Sequence, residues 1–485
     1  MYDDTIAKPV LLGGDPFRLS SNGLWEQRLN VERLKVITTG MLGPVDVELL
    51  SPERLGIAPP AGLDAVARWA RQREAPLSDE LEATIAGLGD IVYVGFETPD
   101  NVWQALCARG APALDLRLHP CRFGPDYYFL ARSNLIPLRD LVDQAPLQQE
   151  LALEAAALEF DAFRLGHENR LRQDALLTLQ MPLDSALLDA WGFANLGEHV
   201  DELTRLSREY PVIWVRPHPH SPPGEADRLA FLSLENARLT DRSAYEMLAS
   251  GQVSHVIALS SSVLHEATNF GVESVALRPD LSHGYPVRSE FTSVRMADLF
   301  GPIAAWFGNT NASGAGAASR SLKALLGMQW ATSAFLPPKA VPPQIPSEPS
   351  PVSISAKAYG WHEPDAWGVW STGLAALDFS WPSDQVGPLT LEISAAVYTG
   401  GRGVTDEVEI WSNGRRITTA VLPTNRGDPA LVRFEVEKPK HGDCLQLVFY
   451  RRTPRRPCDI EGVPDFRELG LMLFSISRAP ALASV

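Results

Sequence analysis

The residues best suited to chemistry fall in three short stretches between positions 176 and 277. The first, Leu177 to Ser185, reads Leu-Thr-Leu-Gln-Met-Pro-Leu-Asp-Ser and offers Gln180 and the carboxylate of Asp184. The second, Val212 to His220, reads Val-Ile-Trp-Val-Arg-Pro-His-Pro-His and offers Arg216, His218 and His220. The third, Val256 to Ala267, carries Ser260, Ser261, Ser262 and Glu266, with Gly271 soon after. Arg216 has the planar fork that binds a carboxylate or phosphate through two bonds. Pro217 and Pro219 stiffen the backbone around His218. An imidazole so presented can pass a proton or a hydrogen bond to a phosphate, or be a structural histidine bonded to a nearby carbonyl. Three hydroxyls at the start of a helix suit an anion, although one of them is expected simply to cap the helix. Glu266, one turn further on, suits a ribose or sugar hydroxyl.

These stretches share one grammar. A short β-branched run reads as a buried strand, and polar or punctuating residues follow at once. In an open parallel α/β sheet the loop after each strand lies at the carboxyl edge, where ligands bind. The strands expected are 174–179, 212–215, 253–259 and 272–277, with an amphipathic helix over 196–209. The N-terminal half repeats the pattern. Strands are expected at Leu34 to Thr38, Asp90 to Glu97 and Ala113 to Leu118, and helices at 63–71, 78–86, 99–109 and 147–164. Glu97 closes one strand and is either an acid or base or a solvated loop carboxylate. His119 and Arg122 follow another strand and either bind an anion or brace their loop.

The length of 485 residues requires two or three cores. The formal charge of −16 argues against nucleic acid as a partner, since phosphate backbones need a basic face. Four scattered cysteines, Cys107, Cys121, Cys444 and Cys458, suit a reducing compartment better than a disulfide scaffold or a zinc site. No apolar run reaches the roughly 18 residues of a membrane span, and the first residues lack a secretory pattern. The expected location is the cytoplasm, or the inner membrane as a peripheral protein.

A proline-rich run between Leu336 and Val352 reads as an extended linker. Beyond it, short alternating segments at 389–397, 407–411, 416–422, 431–436, 444–450 and 469–476, with an Asn413-Gly414 turn, read as an antiparallel β-sandwich. Its entry, Tyr359 to Ser371, is dense in tryptophan, and its exit holds Asp465-x-Arg467. Exposed tryptophans stack on sugars, whereas buried ones fill a core. Trp361 and Trp367 are the expected exposed pair.

Two α/β halves with facing ligand loops describe a nucleotide-sugar enzyme of the GT-B type. A P-loop, a Gly-x-Gly-x-x-Gly turn and an Asp-x-Asp metal motif are all absent from the loops, so no cofactor or metal is expected. The expected domains are 1–165 and 166–331, both Rossmann-like, a linker at 332–352 and the sandwich at 353–485.

The order Gln-x-x-x-Asp-Ser, Arg-Pro-His-Pro, then Ser-Ser with Glu and Gly, resembles the retaining β-Kdo transferases of bacterial capsule and lipopolysaccharide synthesis. His119-Pro120 and Arg122-Phe123-Gly124-x-Asp126 are similar to that family's acceptor half, and the sandwich resembles modules appended to surface-polysaccharide enzymes. The resemblance covers about residues 90 to 280. It implies a GT-B fold, CMP-Kdo as donor and a bacterial glycan as acceptor. It matches Asp184 to the nucleophile of a glycosyl-enzyme intermediate, and His218 and Ser260 to Ser262 to positions facing the CMP. Glu97 matches an acceptor-side catalytic carboxylate. Met181-Pro182-Leu183 departs from the more polar, glycine-containing loop of the pattern, which puts the donor sugar in doubt. The alternatives are a transferase using another nucleotide sugar and a non-catalytic glycan-binding or assembly protein.

Overall fold

The computed structural model describes residues 10–14, 35, 37–39, 41, 47–49, 76–77, 79–87, 91–167, 172–182, 184–187, 192–218, 221–281, 290–306, 335, 341–365, 368–400, 404–424 and 429–480. In chain order the first elements are β1 (Val10–Gly14), β2 (Val47–Leu49), α1 (Asp79–Gly87), β3 (Val92–Phe96), α2 (Asp100–Arg109), β4 (Ala113–Leu118), β5 (Tyr128–Ser133) and α3 (Ala145–Arg164). Then come β6 (Asp174–Thr178), α4 (Val200–Ser207), β7 (Ile213–Arg216), α5 (Glu225–Leu232), β8 (Ala237–Leu239), α6 (Ala244–Ala249), β9 (Val253–Ala258) and α7 (Val263–Ala267). After β10 (Glu273–Ala276) and β11 (Thr292–Arg295), the C-terminal part holds β12 (Lys357–Trp361), β13 (Val369–Ser380), β14 (Leu389–Val397), β15 (Thr405–Ser412), β16 (Arg415–Pro423), β17 (Ala430–Val436), β18 (Cys444–Tyr450) and β19 (Leu471–Arg478). No described helix is long and apolar enough to cross a membrane.

The chain forms two compact units. One comprises Met1–Asp161, Leu183–Ala194 and Ser260–Ala334, and the other Ala162–Pro182, Asn195–Leu259 and Phe335–Val485. In the first, six strands lie in the order β11-β5-β4-β3-β1-β2. β1 to β4 pair in parallel, and β5 joins antiparallel to both β4 and β11. Val94, Leu114, Leu116, Phe129 and Val294 form its core with Ile37 and Met41. Here the expectation of a strand at Leu34 to Thr38 is corrected, because Lys35, Ile37 to Thr39 and Met41 are helical. Ile37 and Met41 stand four apart, on one helix face, and both are fully buried. Burial of that face outweighs the strand preference of a β-branched pair.

In the second unit β6 to β9 are parallel, in the order β9-β6-β7-β8. The expected sandwich is one curled antiparallel sheet rather than two separate ones, in the order β16-β15-β18-β13-β19-β14-β17. The long β13 makes the turn: Leu374 to Ser380 pair with β18, while Val369 and Trp370 pair with β19. A strand that serves both faces is a standard way to build a corner. Leu377, Ile393, Ile410, Phe434, Phe449 and Leu473 fill the space enclosed.

This β-region is seated on the α/β half of the same unit. The edge strand β8 would leave backbone groups unpaired. Gln446 closes it: its Oε1 accepts from Leu239 N at 2.7 Å and its Nε2 donates to Leu239 O at 3.1 Å. Arg238 donates to the Cys444 carbonyl, and Arg228 of α5 lies 3.4 Å from the centre of the Tyr450 ring. The described part of the proline-rich run is laid against the same region, with Ile345 in its core and Pro343 O accepting from Ser380 N.

Candidate functional site

Glu97 follows β3 with a φ of 54°, a left-handed conformation uncommon for a residue with a side chain. Such a residue costs about 1–2 kcal/mol and persists only where its surroundings impose it. Five contacts do so. Glu97 N donates to Leu116 O at 2.7 Å, and Thr98 N donates to Asp115 Oδ1 at 2.8 Å. The Tyr93 and Thr98 hydroxyls are 3.0 Å apart. Arg132 donates to Thr98 O at 3.3 Å and to Asp115 Oδ2 at 3.0 Å. Gly95 leaves no room for a Cβ, which would stand 2.1 Å from Thr98 Oγ1.

Arg132 is the hub of this turn and is 2% exposed. Its remaining donors reach Glu290 at 2.8 Å and Asp100 at 3.1 Å. Its guanidinium lies 4.4 Å from the centre of the Trp103 ring and 4.8 Å from that of Phe291. Arg117, 3.8 Å from Asp115, shares the cluster. The sequence reading missed this set. Its signal was present in Ala-Leu-Asp-Leu-Arg-Leu at 113–118, where Asp115 and Arg117 share one face of a strand that must be buried. Charges there need partners.

His119 follows β4 and is 8% exposed. Its Nδ1 accepts from Cys121 N at 3.1 Å, which leaves the ring proton on Nε2. Burial pulls its pKa from 6.5 down to about 4, and the positive fields of His265 and Arg122 act in the same sense. The ring is therefore neutral near pH 7. Burial, helped by Glu266, pushes the Cys121 thiol up to about 12. Glu266 is 1% exposed, and its Oε1 accepts the Arg122 backbone N–H at 2.6 Å. That carboxylate oxygen clamps the loop after β4 onto α7, and the 5.1 Å ring contact of Phe123 with Phe270 ties the same loop to the turn that follows α7.

The same unit joins the Asp184 and serine loops. Asp184 Oδ1 accepts from Ala186 N at 3.0 Å and so caps the short helical turn Ser185–Leu187. Ser260 Oγ donates to Ala186 O at 2.8 Å. Ser261 accepts weakly from Val263 N at 3.4 Å, the capping expected of one serine in the three, while the Ser262 side chain makes no cap bond to α7.

In the second unit, Gln180 lies half-buried just after β6, and Arg216 ends β7. Arg216 donates to Pro217 O at 2.9 Å. Burial lowers its pKa, and the nearby Tyr359 and Asp241 oppose that shift. His218 is half-buried two residues on, and its carbonyl accepts from Ser221 N. His220 and Trp367 lie outside the described residues. The expectation of an exposed ring at Trp361 is not met. Its Nε1 donates to Ala376 O at 2.8 Å, and its ring packs edge-on against Phe449 beside the core, since an indole N–H beside a core finds a backbone acceptor. Among the described residues no group of three or more His, Cys, Asp or Glu side chains is placed to hold a metal ion.

No protein-family description and no curated protein matches the sequence. Among solved structures, the KpsC β-Kdo 2,4-transferase of Thermosulfurimonas dismutans aligns with a TM-score of 0.29 and 14% identity, over 56% of this chain and 79% of its own. The β-Kdo 2,7-transferase of the same KpsC gives 0.28 and 13%, over 54% and 77%. A family 35 carbohydrate-binding module from an environmental isolate gives 0.17 and 13%, over 30% and 90%. Likenesses this slight decide neither fold nor activity.

Proposed function

We propose that the chain is a glycosyltransferase that takes Kdo from CMP-Kdo and delivers it, with retention, to a bacterial surface glycan. The observation that supports a ligand site is positional. Glu97 follows β3, His119 and Arg122 follow β4, Asp184 follows β6, His218 follows β7 and the three serines follow β9, while Arg216 ends β7. Each of the five pairs in parallel with at least one neighbour, and ligands in parallel α/β sheets bind beyond the carboxyl ends. The choice of CMP-Kdo rests on the sequence resemblance.

In this reading the fold is of the GT-B type, as the sequence resemblance implies. The Asp184 carboxylate attacks the anomeric carbon, and the bond to the phosphate oxygen of CMP breaks. Arg216 and His218 stabilise the departing phosphate without a metal. Glu97 then takes the proton of an acceptor hydroxyl, whose oxygen displaces Asp184. Two displacements restore the original configuration. Arg122 and His119 face the acceptor, and Gln180 and the serines face the nucleotide. The C-terminal β-region contacts the glycan product, and the protein works in the cytoplasm or at the inner membrane surface.

Asp184→Asn tests the covalent step. Turnover of CMP-Kdo should fall by about 1,000-fold or more, and mass spectrometry of quenched wild-type enzyme should find a Kdo ester on the Asp184 peptide. Unchanged turnover would sink the nucleophile. The capping bond from Ala186 N to Asp184 favours a second reading, a transferase with no covalent intermediate. Slowed turnover with no adduct selects it.

A further inference from the structure

We infer that Asp115, Arg132, Thr98 and Tyr93 are positioning residues for Glu97, holding the turn after β3 in the left-handed conformation that directs its carboxylate. The inference rests on the assignment of Glu97 as the acceptor-side base. Glu97 and Asn413 are the non-glycine residues with positive φ among the described residues. Asn413 opens the Asn-Gly turn between β15 and β16, where asparagine is well suited to that conformation. A glutamate has no such local aptitude. Its conformation comes from outside the turn, from partners 17 and 34 residues away in sequence. Asp115 is wholly buried and holds both the turn's N–H and the Arg132 guanidinium, which in turn holds the Thr98 carbonyl. A loop with only a connecting role would take glycine at position 97 and need none of this. Strain kept in place by a buried network is the mark of a side chain whose direction matters.

The experiment compares thermal midpoints and CMP-Kdo kinetics in full-length variants. Glu97→Gly relieves the backbone and should raise the midpoint by about 2–4 °C while turnover falls by about 100-fold or more. Glu97→Gln keeps the strain, so the midpoint should hold and turnover should fall alike. Asp115→Asn should lower kcat by about 10-fold with the donor KM unchanged. In that background the gain from Glu97→Gly should vanish, because the turn is already relaxed. If Asp115→Asn does not fold, Tyr93→Phe, which removes one hydroxyl from the turn, takes its place with the same kcat and coupling expectations. A midpoint lowered by Glu97→Gly, or wild-type kcat in the variants, overturns the inference. A wild-type chain with no CMP-Kdo turnover overturns the donor assignment alone. The two midpoints then decide: a rise for Glu97→Gly that Asp115→Asn cancels supports the inference, and its absence overturns it.

Discussion

Two buried arginines, one in each unit, have nearly the same burial and different work. Arg132 is 2% exposed and Arg451 is 1% exposed. Arg132 spreads over three carboxylates and one carbonyl, and the turn it holds contains a strained glutamate. Arg451 pairs with one carboxylate, Asp406, and donates to the carbonyls of Tyr398, Leu469 and Gly470. Asp406, Leu469 and Gly470 have no positive φ. Burial and dense bonding do not by themselves tell the two networks apart. The separating feature is what the network holds, a residue of strained backbone in one case and relaxed strand ends in the other.

The largest effect should come from breaking the brace. Arg451→Met takes the buried guanidinium away from Asp406 and from the Tyr398, Leu469 and Gly470 carbonyls, and urea unfolding should show a loss of about 3–5 kcal/mol. Nucleotide binding per folded molecule should be unchanged; altered affinity would give Arg451 a part in the site as well.

The first unit should show the steeper acid response. His119 has a folded pKa of about 4, below its ordinary value of 6.5, so the unfolded chain binds its proton first. Its contribution is complete above about 6.5 and is lost as pH falls through 4, a span worth on the order of 3 kcal/mol. In His119→Gln, the fall in stability between those pH values should flatten. An unaltered slope would place the titration elsewhere.

Gln446→Ala tests the seat of the β-region on β8. It unpairs the Leu239 N–H and carbonyl and should cost about 1–3 kcal/mol in urea. No loss would mean that water replaces the amide. The smallest effect belongs to the surface. The forked bond from Arg467 holds Asp465 down at about 2, so its stability is present above the ordinary carboxylate pKa and lost as pH falls through about 2. The pair is only half-buried and open to solvent screening, so Asp465→Asn should move the neutral-pH midpoint by about 1 °C or less. A larger drop would make this corner part of the fold's core.

The parallel strands β3, β4, β6, β7 and β9 are legible because β-branched runs end abruptly in polar loops, as at Val212 to Val215 before Arg216-Pro217, whereas β1, β2 and β8 do not stand out in the sequence. The last six strands were readable through their alternation. β13 was not, since Gly373, Ala375 and Ala376 dilute its pattern. The helix around Ile37 and Met41 was misread because only tertiary burial decides it. Candidate side chains such as Glu97 and His119 could be named from their place after a strand. Their state could not, because it depends on distant partners. Arg132 lies 34 residues from Thr98 and 158 from Glu290, and no spacing rule joins them. Glu266 looked like a sugar ligand, yet one of its oxygens is taken by the Arg122 backbone, 144 residues away.

Nucleotide binding without metal is the most direct test of the transferase account. The full-length protein, in buffer containing a chelator, would be titrated with CMP, UMP, UDP, GDP and ADP while its thermal midpoint is followed. CMP alone should raise the midpoint, with about 2.7 kcal/mol of stabilisation at one hundred times its Kd. A rise with UDP or GDP instead would contradict the donor, and no rise with any nucleotide would contradict the transferase.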